Sequence, residues 1–322
     1  MRRLHELCER EYIRTGEDRF LIPGGPAFAG QKVRVHILAM GDVGGTLALA
    51  MKLTGADVLS GIGICDINER MLARWEQELN QIVAPADPEA FPPVCKVSPE
   101  QLFDCDAFVF CASRGVPDLS EKNVDVRMVQ LEKNAEMIAG YGRQAAEAGF
   151  RGAFFVVSDP VDPLCAAAAK AGVCPDQIQG FGLGVMNGRA AYYAAGDERM
   201  ASYRTEGRVF GPHGEDLVVA NSIRSYNDDL SRELTRMTVN ANRQIRELGF
   251  KPYIAPAVSS GALSILENLR GGWHYSSVCF GGAFLGLRNR RTDAGIEVED
   301  QPLDEKLFAR IETAYRNLEG LL

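Results

Sequence analysis

This chain has few of the side chains that hold metals. It carries four histidines in 322 residues, His5, His36, His213 and His274, and no two of its eight cysteines form a Cys-x-x-Cys pair. A zinc cluster or a dithiol redox centre needs such spacing, so no metal site is expected. Positive charge is also in deficit. The 35 Lys+Arg against 43 Asp+Glu give a net charge of −8, which argues against nucleic acid or an anionic membrane as a partner. No stretch approaches the ~20 consecutive apolar residues that span a bilayer. The opening MRRLHELCEREY is basic but lacks the apolar segment of a secretory signal. There is no internal repeat and no low-complexity tract. Several cysteines lie within apolar runs, Cys65 in GIGICD and Cys111 in FVFCAS among them. They are expected to be reduced core residues of a cytoplasmic protein.

What the chain does have is alternation. Residues 1–32 end in the Gly/Pro-rich IPGGPAFAGQ and read as an arm packed on the body or on a partner subunit. After it, short apolar runs of strand length stand at 32–40 (KVRVHILAM), 57–66 (DVLSGIGICD), 106–113 (DAFVFCAS) and 152–159 (GAFFVVSD). Segments with helical spacing separate them, at 41–55, 67–83 and about 127–148. Strands alternating with helices mean βαβ units and a parallel sheet covered on both faces. The second half mixes short strands with helices, notably at 227–249 and 304–322. The expected fold is therefore α/β. An N-terminal arm (1–32) leads into a Rossmann-type doubly wound parallel sheet (33–160), and an α+β catalytic domain (161–322) follows.

The first apolar run enters Ala39-Met40-Gly41-Asp42-Val43-Gly44-Gly45, and a helical segment follows. This is a variant of the dinucleotide fingerprint, with alanine where the first glycine usually stands. Small residues are needed there because backbone must approach a pyrophosphate, with free N–H groups of the helix start aimed at it. Asp66 ends the second run, 22 residues after Gly44. A carboxylate at that place accepts hydrogen bonds from ribose hydroxyls and repels a 2′-phosphate, which favours NAD over NADP. Gly41, Asp42, Val43, Gly44 and Asp66 are thus the expected cofactor-binding residues.

Further segments fall in an order and spacing that resembles the L-lactate/L-malate dehydrogenase family over roughly residues 32–322. Besides Ala39–Thr46 with Asp66, they are RMVQLEKN at 127–134, VVSDPVD at 156–162, NGR at 187–189 and GPHG at 211–214. The resemblance implies hydride transfer between NAD and a small 2-hydroxy or 2-oxo acid, in a homodimer or homotetramer. Such a reaction needs a proton carrier, a cation holding the substrate carboxylate and a second cation polarising the carbonyl. By the resemblance His213 is the proton carrier; an ordinary imidazole titrates near 6.5 and can both give and take a proton. Arg189 is the carboxylate clamp, suited to it by its planar fork. Arg127, seven residues before Asn134, comes down on the substrate from a loop. Asn134 lines the nicotinamide-ribose side, Ser158 lies at the strand end beneath the nicotinamide, and Ala112 joins the cofactor-binding positions.

Three departures from the family stand out. It has an aspartate three residues before the clamp arginine, bonded to the histidine; here that residue is Met186. Loss of the carboxylate in a Ser-His-Asp triad costs ~10⁴ in rate. The family also has asparagine where this chain has Asp159, and the two changes are expected to be linked, with Asp159 taking over as partner of His213. The third departure is the loop 114–126, a few positions longer than usual. It carries Arg114, and it places Asp118 and Glu121 near the position that selects the substrate tail. Acidic groups there disfavour a dicarboxylate, so a monocarboxylate with a neutral, polar or cationic tail is expected, although Arg114 can serve as a selector if the loop folds differently. One competing reading is an NAD-binding relative with little or no dehydrogenase activity, motivated by Met186. Another is an NAD-dependent family-4 glycosidase. That chemistry needs a metal and a Cys/His pair, and no cysteine lies within thirty residues of His213.

Overall fold

The computed structural model of the protein describes residues 1–8, 11–28, 30–113, 126–214 and 216–322, with residues 126–130 described by backbone only. The chain opens with a 3-10 turn at Leu4–Leu7 and a hairpin of β1 (Ile13–Gly16) and β2 (Arg19–Pro23). A βα alternation follows: β3 (Val33–Leu38), α1 (Asp42–Thr54), β4 (Leu59–Cys65), α2 (Glu69–Asn80), β5 (Val94–Lys96), β6 (Ala107–Phe110), α3 (Val126–Glu147), β7 (Ala153–Val156), α4 (Val161–Lys170) and β8 (Ile178–Gly180). The remainder runs α5 (Leu183–Ala194), α6 (Tyr203–Glu206), β9 (Arg208–Phe210), β10 (Val218–Ala220), α7 (Asp228–Glu247), a π-helical segment Pro256–Leu263, α8 (Ser264–Leu269), β11 (His274–Phe280), β12 (Ala283–Thr292), β13 (Gly295–Glu299) and α9 (Glu305–Leu318).

Strands β8-β7-β6-β3-β4-β5 are neighbours in that order and all parallel. This is the doubly wound order, which reverses between β3 and β6. Loops after the strand ends diverge there and leave a crevice, where such sheets bind ligands. The short apolar runs are buried on both faces. Val33, Val35 and Ile37 of β3, Val109 of β6 and Phe155 of β7 pack with α1 and α8 residues such as Leu47, Met51 and Leu266. The alternate residues Leu38, Phe108, Phe110, Phe154 and Val156 pack on the other face with Ile138 and Leu164. The period of two sends successive side chains to opposite layers, so a continuous apolar run is what such a strand requires.

The second half of the chain does not build a separate main sheet. β11 pairs antiparallel with β8 (Ser277 opposite Gly180), and β12 and β13 extend the same sheet. The arm completes it: β2 pairs antiparallel with β13 and β1 with β2, giving an eleven-stranded sheet. The arm therefore packs on the body. Leu4, Leu7, Phe20 and Ile22 enter the apolar core beneath α9 with Phe280, Ile311 and Tyr315, and the His5 ring meets Asp300 at 2.7 Å. The cysteines are more varied than the sequence suggested: all eight are free, Cys65 and Cys165 are buried, and Cys95 and Cys174 are exposed. No helix among the described residues is long and apolar enough to cross a membrane.

Candidate active site

Both halves of the site lie at the β3/β6 crevice. At the end of β3, Ala39 adopts φ +74, a left-handed conformation that glycine takes freely and alanine takes at a cost of about 1–2 kcal/mol. That turn brings the chain onto the N-terminus of α1. A Cβ on Gly44 would lie 1.9 Å from the Ala39 carbonyl oxygen, and one on Gly45 would lie 2.1 Å from the Trp75 ring. These two positions have room only for glycine. By contrast, a Cβ on Gly41 would meet nothing within 4 Å. The turn thus presents an open cradle of backbone at the positive end of α1, which fits a pyrophosphate. Asp42 stands in the first helical turn with Val43 beside it. Asp66 accepts from the Met40 N–H at 2.7 Å and from the Asn68 N–H at 2.9 Å. Each carboxylate oxygen keeps a second lone pair for a ribose hydroxyl.

The facing wall comes from the ends of β6 and β7. Ser158 Oγ donates to the Ala112 carbonyl at 2.7 Å. Asn134, fully buried on α3, donates through its amide to the Asp159 carbonyl at 3.2 Å and to Ser113 Oγ at 3.4 Å. These bonds hold the two strand ends in register above the crevice.

His213 enters from the turn after β9. Its Nδ1–H donates to Asp159 Oδ1 at 3.0 Å. An ionised carboxylate only accepts, so this bond puts the ring hydrogen on Nδ1 and leaves Nε2 as the site that gains or loses a proton. Nε2 is buried and has no hydrogen-bond partner among the described residues. It belongs to the ring that lines a cavity of about 180 Å³ shared with Val43, Cys111, Ser158, Asp159 and Gly182. A Cβ on Gly182 would lie 2.9 Å from the His213 Cβ, so glycine is what lets the histidine lie this close to the start of α5. The Asp159 side chain is 65% exposed, yet the surrounding protein is close enough to desolvate its carboxyl. That desolvation raises its pKa. The charge on His213, the hydrogen bond to it and the Arg189 guanidinium outweigh the effect and hold the carboxyl below its usual range.

Arg189 lies on α5. It donates through Nη2 to Asn242 Oδ1 on α7 and through Nη1 to Met186 Sδ at 3.5 Å. Burial lowers its pKa, opposed by the charges of Asp159 and Tyr193. Two of the five guanidinium N–H donors are engaged this way, and others remain for a carboxylate. Met186 is buried one turn earlier on the same helix, and Asp159 is the carboxylate bonded to the His213 ring. Arg127 falls in the first turn of α3, and its side chain lies outside the described residues, as do Arg114, Asp118 and Glu121.

Sequence reasoning missed several participants. Ser260 of the π-helical segment donates to the Gly182 carbonyl and accepts from the Val185 N–H, both at 2.8 Å, which fixes the start of α5. Asp162 is buried and accepts from Ser277 Oγ. Burial pushes its carboxyl up to about 6, against hydrogen bonds from Ser277 and the His213 main chain and the charge of His213. Asp162 ends the VVSDPVD segment, so a signal was available for it. Asn242 left none, since a polar residue on an amphipathic helix looks the same whether it meets water or an arginine, and Ser260 left none, since a small hydroxyl in an apolar run does not name its backbone partners.

Comparison with known proteins agrees with this architecture. Residues 33–180 match the family model described as lactate/malate dehydrogenase, NAD binding domain. The L-lactate dehydrogenase of Corynebacterium glutamicum is 26% identical over 208 residues, covering 63% of this chain and 62% of that enzyme. The chain thus spans about three fifths of that relative's length. The L-lactate dehydrogenase of Oceanobacillus iheyensis is 23% identical, over 89% of this chain and 94% of that enzyme. The crystal structure of a lactate dehydrogenase from a Medee basin deep-sea metagenome library superposes with a TM-score of 0.74 at 20% identity, covering 89% of this chain and 97% of that one, which is a likeness of fold. Residues 33–180 thus match the NAD-binding domain of lactate/malate dehydrogenases, and the chain shares the α/β fold of such enzymes at low sequence identity.

Proposed function

We propose that this protein is an NAD-dependent oxidoreductase of a small 2-hydroxy or 2-oxo acid, with the His213–Asp159 pair as its acid/base. The observation that carries this reading is the 3.0 Å bond from His213 Nδ1 to Asp159, with Nε2 buried and unpartnered among the described residues and both residues lining the cavity beside the NAD turn. Bound NAD supplies a hydride acceptor, and NADH a donor. Gly41, Val43 and Gly44 hold the pyrophosphate, Asp66 the adenosine ribose, and Ala112, Asn134 and Ser158 the nicotinamide side. His213 Nε2 takes the hydroxyl proton during oxidation and returns it during reduction, while Asp159 stabilises the imidazolium formed. Arg189 holds the substrate carboxylate, and Arg127 polarises the carbonyl. Asp118 and Glu121 select against a second carboxylate, so the substrate is a monocarboxylate with a neutral, polar or cationic tail. Residues 1–32, 33–160 and 161–322 act as arm, cofactor domain and substrate domain of a cytoplasmic homodimer or homotetramer.

One observation favours a second reading. Met186 stands where the family carries its histidine-orienting aspartate, and Arg189 is already engaged by Met186 and Asn242. That arrangement suits a protein that binds NAD and turns over little. An NADH-oxidation screen over 2-oxo acids of varied chain length and tail charge separates the two. Turnover of a monocarboxylate supports the enzyme. NADH binding without turnover across the whole panel supports the second reading.

A further inference from the structure

The NAD turn carries a charge that works against its ligand. Asp42 sits in the first turn of α1, where a carboxylate suits the helix dipole. The same place must receive the two anionic phosphates of a dinucleotide, and like charges there repel. Asp42 is not left alone. Lys251, more than 200 residues later in the chain, places its Nζ 3.1 Å from Asp42 Oδ2. The lysine follows the end of α7, where Gly249 turns the chain with φ +87 and the Tyr253 N–H closes a turn onto the Lys251 carbonyl at 3.1 Å. The pair thus joins the start of α1 to the segment that follows α7. Both side chains are largely exposed, 80% for Lys251 and 51% for Asp42. An exposed pair of this kind adds little to stability, so its placement at the phosphate cradle is the informative feature.

We infer that Lys251 is a pyrophosphate ligand: when the dinucleotide binds, its ammonium turns from Asp42 to the phosphate oxygens, and Asp42 is the anion that the cofactor displaces. A flexible point charge with three donors is suited to such an exchange. The inference rests on the NAD site at Gly41–Gly44 and adds a residue that the fingerprint does not contain.

The sign of two substitutions tests it. If the pair only staples the two halves together, Lys251→Met and Asp42→Asn both break it and shift affinity in the same direction. If Lys251 serves the phosphates, the two act oppositely. Titration calorimetry with ADP-ribose, which carries the pyrophosphate without the nicotinamide, is the measurement. Lys251→Met is expected to raise Kd about five- to tenfold and to flatten its salt dependence. Lys251→Arg should stay within about twofold of the native protein, and Asp42→Asn should lower Kd about two- to fivefold, magnitudes typical of single charges near a surface. Adenosine, which has no phosphate, should bind all variants alike. Equal Kd values for Lys251→Met and the native protein, or weaker ADP-ribose binding by Asp42→Asn, would overturn the inference. Failure of the native protein to bind ADP-ribose would instead count against the cofactor site.

Discussion

Replacing Asp159 with asparagine isolates charge from shape at the proposed acid/base. The amide oxygen can still accept the His213 Nδ1–H, now 3.0 Å from Oδ1, so the ring keeps its orientation and only the anion is lost. Two charges about 4 Å apart interact by ~4 kcal/mol at an effective dielectric of 20 and by ~1 kcal/mol in water. The Asp159 side chain is 65% exposed, which places the pair between these limits. A charge-assisted hydrogen bond contributes about 1.5–3 kcal/mol, and kcat/KM is therefore expected to fall about 10- to 150-fold. That is well short of the ~10⁴ lost in a triad whose carboxylate is buried. The assay is steady-state oxidation of NADH with the best 2-oxo acid from the screen, with NADH affinity measured in parallel to show that the cofactor site is intact. Adding Met186→Asp to Asp159→Asn returns a carboxylate to the position the family uses, beside Arg189, and should recover part of the loss. Full activity in Asp159→Asn would show that the imidazolium needs no anion here and would refute the dyad.

Three further outcomes are expected. Arg189→Lys keeps the charge but loses the two-point fork, so kcat/KM should fall by a factor of about 10² or more with NADH affinity nearly unchanged; an unchanged kcat/KM removes Arg189 from the substrate site. Asp66→Ser should narrow the preference for NADH over NADPH in paired kinetics, and equal kinetics with both cofactors in the native protein would contradict the role of Asp66. Asp162, buried with its carboxyl raised to about 6 from 3.8, holds its proton more tightly folded than unfolded. Its contribution to stability is therefore full below about pH 4 and lost as pH rises through about 6, a change of about 3 kcal/mol. Urea denaturation of the native protein and Asp162→Asn should differ in pH dependence by that amount over this window, and parallel profiles would reject the shift.

Much of the nucleotide half was legible in the sequence because its signals are local. A buried parallel strand needs an unbroken apolar run, and β3, β4, β6 and β7 each lie within a run read from composition alone. The fingerprint is local as well. Gly44 and Gly45 answer to contacts with the turn and the next helix, and only Ala39, holding a positive φ without being glycine, hides its conformation from its residue type. The arm was harder. The alternation in IRTGEDRFLIP is short, and nothing local shows that β2 would find its partner in β13, more than 270 residues away.

The site divides along the same line. The sequence by itself determined which residue types were available: one histidine in a Gly-Pro-His-Gly turn, one arginine after Asn-Gly, and a carboxylate at 159 in place of an amide. Tertiary structure decided which of them meet. Asp159 and His213 are 54 positions apart, and only the joining of β7 to the turn after β9 puts them 3.0 Å from each other. Asn242 on Arg189, Ser260 on α5 and Lys251 on Asp42 were settled the same way. A hydrogen bond or ion pair between distant segments depends on angstrom-scale placement that the packed core imposes, and residue type alone carries no record of it.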